Sequence, residues 1–381
     1  MQSHQDQNQD PGRDQFRRAR QKKKAHLMPR ILIAAAAVLL LVFGIYRLWE
    51  RPPEMKTPEV PEVSTVETPE PAVSADPSAP SPEPTLEPLP DGTPLQTARQ
   101  NGVYTILLAG LDEASENTDT ILLCRFDTVN HAINCVSIPR DTLINVDWDV
   151  RRINSVYAGG KRGGGNGIEN LLMHIRFLTG IEPDAYAVIS LDTFVRIIDI
   201  LGGVWFYVPI QMDYEQYYDN LFIHLQPGYQ YLDGYQCMGL CRFRSDYANG
   251  DLGRIEMQHA FFKAVIEQFL KLGNLPHARR IFQILAEGLD TNLTAANIAW
   301  FVRQAMQCDK DNIRFFTMPG YGKAIQNFSY YVISPYQWLE MINSALNPYE
   351  TPVGYGNLNI VYEEDGVFSS TTAVQGPWYY E

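Results

Sequence analysis

Cysteine is scarce in this chain: five in 381 residues, too few to staple a small disulfide-framed domain. The common catalytic signatures are missing as well. There is no G-x-S-x-G, no H-E-x-x-H, no Walker-type phosphate loop and no G-x-G-x-x-G. Seven scattered histidines argue against a zinc site. Basic charge is short too, with 31 Lys and Arg against 44 Asp and Glu, a net charge of −13. Nucleic-acid affinity comes mainly from neutralising phosphates with a basic surface, so no nucleic-acid partner is expected. What the chain does have is 45% hydrophobic residues, enough for one large or two modest domains with a real core.

Charge and composition divide the chain sharply. Residues 1–30 carry eight Lys and Arg against three Asp and form a basic tail. Residues 31–49 open with an unbroken apolar run, ILIAAAAVLLLVFGIY, followed by Arg47, Leu48 and Trp49. As a helix they would span roughly 28 Å, the hydrocarbon thickness of a bilayer. The basic residues before the run are kept inside by the positive-inside rule, and Trp49 suits the far interface. A cleaved signal peptide is the competing reading. The run ends in GIYRLWERPPE without a small-x-small cleavage site, which favours an uncleaved single-pass anchor with Glu50–Glu381 extracytoplasmic. Residues 50–96, where 13 of the 25 prolines and many Glu, Ser and Thr gather, read as a disordered linker.

From Val103 the texture becomes that of a folded domain. Tyr104–Leu108, Thr120–Phe126 and Ala132–Ile138 read as buried strands, and Ile168–Leu178 as a helix stopped by Gly180. Tyr186–Ile189, Val204–Val208, Ile313–Met318 and Tyr330–Val332 read as further strands. Asp192–Ile200, Tyr235–Cys241, Leu252–Leu272, Ile281–Leu285, Ala295–Met306 and Tyr336–Leu346 read as helices. This order predicts one α/β domain over residues 97–347, with a central mixed sheet flanked by helices. Residues 348–381 carry no assignment.

Two clusters point to chemistry. Arg242, Arg244, Asp251, Arg254 and Gln258 lie within 17 residues. Arg254 and Gln258 share a helix face at i,i+4, and Arg242 and Arg244 would point one way if extended. Such guanidinium forks suit a diphosphate, while ion pairing with Asp246 and Asp251 is an equally open reading. Asp112 and Asp119 flank the loop EASENT. Two carboxylates at one loop mouth can hold Mg²⁺ when phosphate oxygens complete the shell, or can simply be turn residues. The glycine-rich run Gly159–Gly167 before a helix is a weak anion-loop candidate.

In order and spacing, TILLAGLD, TDTILLCRFD, VSIPRDTLINV, RRINSVYAGG, IIDILGGVWFYVP, LDGYQCMGLCRFR and GDLGRIEMQ resemble the LytR–CpsA–Psr family of membrane-anchored cell-wall proteins. That resemblance implies a phosphotransferase, moving a glycopolymer such as teichoic acid or capsular polysaccharide from a polyprenyl-pyrophosphate carrier to peptidoglycan. It places metal-binding aspartates at Asp112 and Asp119. Pyrophosphate-binding residues fall at Arg140, Arg242, Arg244 and Arg254, with Arg152, Asp251 and Gln258 also matching. The lipid tail would occupy an apolar tunnel between sheet and helices. Either Asp112 or Asp141 would be the general base, beside Arg140 and Arg244. Rival functions are a lipid-pyrophosphate binder and a pyrophosphatase. Met257 stands where the family often has another Arg. Cys124 and Cys135 could face each other across a hairpin, but free buried thiols are expected.

Overall fold

A computed structural model describes residues 51–56, 98–112, 116–217, 221–243, 247, 251–271, 284 and 288–372, with backbone only at 251 and 269–271. The expected anchor at 31–49, most of the linker and most of the expected helix Ile281–Leu285 lie outside them. Among the described residues no helix is long and apolar enough to cross a membrane.

Strands β1 (Val103–Leu111), β2 (Thr118–Asp127) and β3 (Ala132–Ser137) form an antiparallel meander. Its register aligns Leu107, Leu123 and Val136 in one row, all fully buried. Strand β4 (Ala185–Ser190) runs parallel to β1. Two ribbons follow. Strand β5 (Val204–Val208) pairs with β8 (Gly228–Leu232), and β6 (Met212–Gln216) pairs with β7 (Leu221–Leu225). Strands β9 (Leu289–Thr291) and β10 (Ile313–Thr317) complete a six-stranded mixed sheet of order β10-β3-β2-β1-β4-β9. Two C-terminal hairpins are β11 (Gly320–Ile325) with β12 (Phe328–Ile333), and β13 (Val361–Glu364) with β14 (Val367–Ser370). Among the described residues the α-helices are α1 (Val156–Arg162), α2 (Gly167–Thr179), α3 (Leu191–Ile200), α4 (Gly234–Arg242), α5 (Asp251–Lys271), α6 (Ala295–Ala305) and α7 (Pro335–Met341). A mixed sheet flanked by helices is the α/β class expected.

Helix α2 shows why these segments fold as they do. Asn166 caps its start by accepting from Ile168 N, and Gly180 ends it with φ 67°, a left-handed position that suits glycine. Between them Ile168, Leu171, Ile175 and Leu178 recur at helical spacing and pack on the Leu107–Leu123–Val136 row. Trp338 of α7 closes this layer, its indole N–H donating to Leu178 O at 2.7 Å. The opposite sheet face carries Leu108, Leu122, Cys124 and Cys135, packed against Phe262 of α5 and Phe315 of β10. A separate cluster joins the β5–β8 and β6–β7 ribbons to α3, α4 and α5.

Three expectations are corrected, and one unassigned stretch gains a place. Cys124 and Cys135 are not free thiols but a disulfide, because the β2–β3 register sets them directly opposite. The Gly159–Arg162 part of the glycine-rich run is helical, since Val156, Tyr157 and Ala158 of α1 are drawn into the core. Residues 348–372 are no loose tail: Tyr349, Val353, Leu358 and Ile360 belong to the main core. At the other end, part of the linker is bound to the domain. Lys56 N donates to Asp184 Oδ1 at 2.7 Å, and Met55 packs beside Tyr104 and Phe301.

Closing an 11-residue separation, the disulfide is expected to contribute about 2–3 kcal/mol of stability. Replacing both cysteines by Ser should lower the denaturant midpoint accordingly, and reductant should then leave the variant's midpoint unmoved. A reductant-sensitive variant would mean that another cysteine pair carries the effect.

His259 of α5 meets Ser137 of β3, Nε2 to Oγ at 2.6 Å, and burial pushes its imidazole down to about 4. Unfolded, the same ring protonates near 6.5, so the unfolded chain binds the extra proton between pH 6.5 and 4. Stability is therefore whole above pH 6.5 and falls as pH drops through that window. Urea unfolding at pH 7 and pH 5 should show His259→Gln losing about 2 kcal/mol less than wild type. Equal losses would remove His259 as the source.

Candidate active site

Strands β1, β3, β4 and β10 all run the same way, so their carboxyl ends gather along one edge of the sheet. Ligands of open α/β sheets bind at such an edge. Here β1 releases into Asp112, and the chain returns into β2 through a tight loop held by Glu116 N to Asp112 O at 2.8 Å and Asp112 N to Asn117 O at 2.9 Å. Asp119 enters as the second residue of β2. Both aspartates line a cavity of about 60 Å³ together with Thr120, Cys241, Arg242, Arg254 and Gln258.

The two helices opposite deliver the cations. A capping box between Asp233 and Gln236 starts α4, and Gly234 lies so close to α3 that a Cβ would meet Val195 O at 2.4 Å. That helix ends on Arg242, whose guanidinium reaches Asp112 at 3.6 Å. Arg242 is thus helical, not part of an extended Arg242–Arg244 pair. From α5, Arg254 and Gln258 enter at i,i+4, and both are buried, at 2% and 6% exposure. Gln258 Nε2 donates to Cys241 O at 2.9 Å, which latches α5 to the end of α4 beside Arg242. Burial pushes the Cys241 thiol up to about 12, although Arg254 pulls it down.

A second set of charges continues along the edge. Arg140 reaches Asp119 at 3.0 Å and Asp141 at 3.8 Å, and Arg152 reaches Asp141 at 3.4 Å. Asp112, Asp119, Arg140, Asp141, Arg152, Arg242, Arg254 and Gln258 therefore gather at one edge of the sheet. Arg242 pairs with Asp112 across the cavity. Arg244, Asp246 and the side chain of Asp251 lie outside the described residues. Met257, at the position where another Arg was of interest, is a core residue at 5% exposure.

The sequence did not single out Phe328 and Tyr330, whose rings lie 5.9 Å and 5.5 Å from the Arg152 guanidinium carbon. No local spacing could have marked them, since they stand more than 170 residues away. Behind the charged cavity the lining turns apolar. Thr120 and Leu122, like Gly110 and Leu108, alternate onto the same sheet face, so the packed Leu108–Leu122–Phe262 layer follows the cavity lining along that face.

A family model described as the LytR_cpsA_psr family matches residues 75–346. The polyisoprenyl-teichoic acid–peptidoglycan teichoic acid transferase TagU of Halalkalibacterium halodurans is 27% identical over 258 residues, covering 64% of this chain and 78% of that protein. The cell wall biosynthesis protein LcpA of Corynebacterium glutamicum is 30% identical over 239 residues, covering 56% of this chain and 45% of that one. In fold, the crystal structure of TagV from B. subtilis aligns with a TM-score of 0.54 at 20% identity, over 64% of this chain and 95% of that one. With the family match running from the linker through β1, both arginine clusters and on to the end of the helix-rich region, the chain belongs to the LytR_cpsA_psr family.

Proposed function

We propose that this chain is a membrane-anchored phosphotransferase that attaches a glycopolymer, carried on a polyprenyl pyrophosphate, to peptidoglycan through a phosphodiester. The observation that carries this reading is the single cavity in which Asp112 and Asp119 meet Arg242, Arg254 and Gln258 in a chain of this family. Planar guanidinium forks pair with phosphate oxygens two at a time, and Arg254, nearly out of water, would act in a low-dielectric site. The acceptor hydroxyl gives its proton to a carboxylate of the edge, Asp112 or Asp141, and attacks the sugar-linked phosphorus in line. Its bond to the bridging oxygen breaks, and polyprenyl monophosphate departs with its negative charge met by arginine. Positioning and electrostatics then supply most of the acceleration.

Asp112 and Asp119 are hard oxygen donors lining one cavity, a set that fits Mg²⁺ sharing its shell with waters and phosphate. Held there, Mg²⁺ would supply charge neutralisation on the pyrophosphate. Asp141, between Arg140 and Arg152, fixes the direction of both guanidiniums. An extracytoplasmic position is supported by the charge step across residues 1–49 and by the Cys124–Cys135 bond, a linkage that persists in oxidising compartments.

The test uses the full chain in detergent with a labelled lipid-linked oligosaccharide, peptidoglycan fragments and Mg²⁺. Arg242→Ala should weaken donor binding by on the order of 1.5–3 kcal/mol, the size of a hydrogen bond to a charged group. Asp119→Asn should stay folded at the assay temperature, its melting temperature lowered by the lost pairing with Arg140, and lose most of the transfer rate at every Mg²⁺ concentration. A folded Asp119→Asn variant that transfers at the wild-type rate would remove the metal role. Carrier consumed without any conjugate would point to hydrolysis instead.

A further inference from the structure

Arg152 is held by aromatic rings that are themselves backed from beyond the family match. Its backbone belongs to a strap, residues 140–154, sewn to itself by Ile153 N to Thr142 O at 3.0 Å and Ile144 N to Arg151 O at 3.0 Å. The strap is then stitched onto β12 by Leu143 N to Tyr331 O and Tyr331 N to Asp141 O, both at 2.9 Å. On the same strand Phe328 and Tyr330 present their rings to the Arg152 guanidinium. Tyr330 is buried at 4% exposure, and its hydroxyl also accepts from Arg151 N at 3.4 Å.

What keeps those rings in place comes from the end of the chain. Leu143, Tyr330 and Val332 form one apolar cluster with Val361 and Phe368 of the β13–β14 hairpin. Lys323 of β11 pairs with Glu363 of β13, and Tyr321 donates to Glu363 at 2.8 Å. Ile144 bridges Ile360, and Asn145 Nδ2 donates to Asn359 Oδ1 at 2.8 Å. All these supports beyond residue 346 lie past the end of the family match.

We propose that Phe328 and Tyr330 are positioning residues, which fix the Arg152 guanidinium against Asp141, and that the C-terminal hairpin is the buttress that makes this clamp rigid. The clamp's effect on donor binding rests on the reading of Arg152 as a pyrophosphate ligand. A cation facing aromatic rings is drawn to the negative face of their quadrupole, so the rings select one rotamer of a long side chain. Without them the guanidinium must be ordered anew by each ligand it meets.

Two readouts on the full chain separate the clamp from that reading. The first is the rate at which phenylglyoxal modifies Arg152, followed by peptide mass mapping. The second is the KM for a lipid-linked oligosaccharide donor in the transfer assay. Phe328→Leu, at a position already 38% exposed, and Tyr330→Leu should each speed Arg152 modification. They should raise the donor KM roughly 3- to 5-fold with kcat little changed, the range set by one cation–π contact. Tyr330→Phe keeps the ring and should restore wild-type modification and KM. Arg152 modification unchanged in Phe328→Leu and in folded Tyr330→Leu would overturn the clamp, whatever the kinetics show. Faster modification with an unchanged KM would uphold the clamp and instead overturn the donor-binding reading of Arg152.

Discussion

The site depends on the need to pair every charge brought to the sheet edge. Asp112 with Arg242 and Asp119 with Arg140 join elements folded far apart in the chain: the β1–β2 loop, the end of α4 and the turn after β3. These groups are mostly withdrawn from water, where a charge without a partner costs several kcal/mol. The chain therefore carries a set of cations sufficient for a polyanion while neutralising them with its own carboxylates. In the proposed reaction, arginines that turn toward a pyrophosphate release Asp112 and Asp119, and the carboxylates so released suit a divalent ion. Ligand and metal would then favour each other's binding, since each removes the charge the other leaves behind.

Placing those charges falls to elements that are rigid for unrelated reasons. The row Leu107–Leu123–Val136 under α2 fixes the strand ends from which Asp112 and Asp119 emerge. The Gln258–Cys241 hydrogen bond sets α5 against α4, so Arg254 and Arg242 share one cavity wall. Arg152 is fixed differently, by a strap tied to β12 and backed by residues that follow the family domain. One edge of the site is thus built by β1, β2, α4 and α5, and the other by the strap and β12 with the C-terminal hairpin behind them.

Much of this was legible in the sequence where periodicity carries information. Strands β1–β3 are continuous apolar runs, and α2 repeats its apolar residues at 3.6 spacing, so both were visible. Arg254 and Gln258 could be placed on one face because an i,i+4 relation is local. Arg242 is different, since its partner Asp112 is 130 positions away and no spacing names it. The Cys124–Cys135 bond required the register of β2 and β3, which only the folded sheet supplies. The β6–β7 ribbon went unseen because MDYEQ leaves its side chains largely in water and shows no alternation. The C-terminal hairpin was hidden for a related reason: short strands among Tyr and Gly bury their few apolar residues only against other parts of the chain.

The central claim concerns which phosphorus moves. A donor carrying ³²P only at the sugar-linked phosphorus, incubated with the full chain, Mg²⁺ and peptidoglycan fragments, reports this directly. If the acceptor hydroxyl attacks that phosphorus, the label appears in the peptidoglycan conjugate, stays on the peptidoglycan fragment as a monoester after mild acid cleaves the glycosyl bond, and the released polyprenyl monophosphate is cold. Label left on the lipid, or recovered only as a soluble sugar phosphate with no conjugate formed, would contradict it.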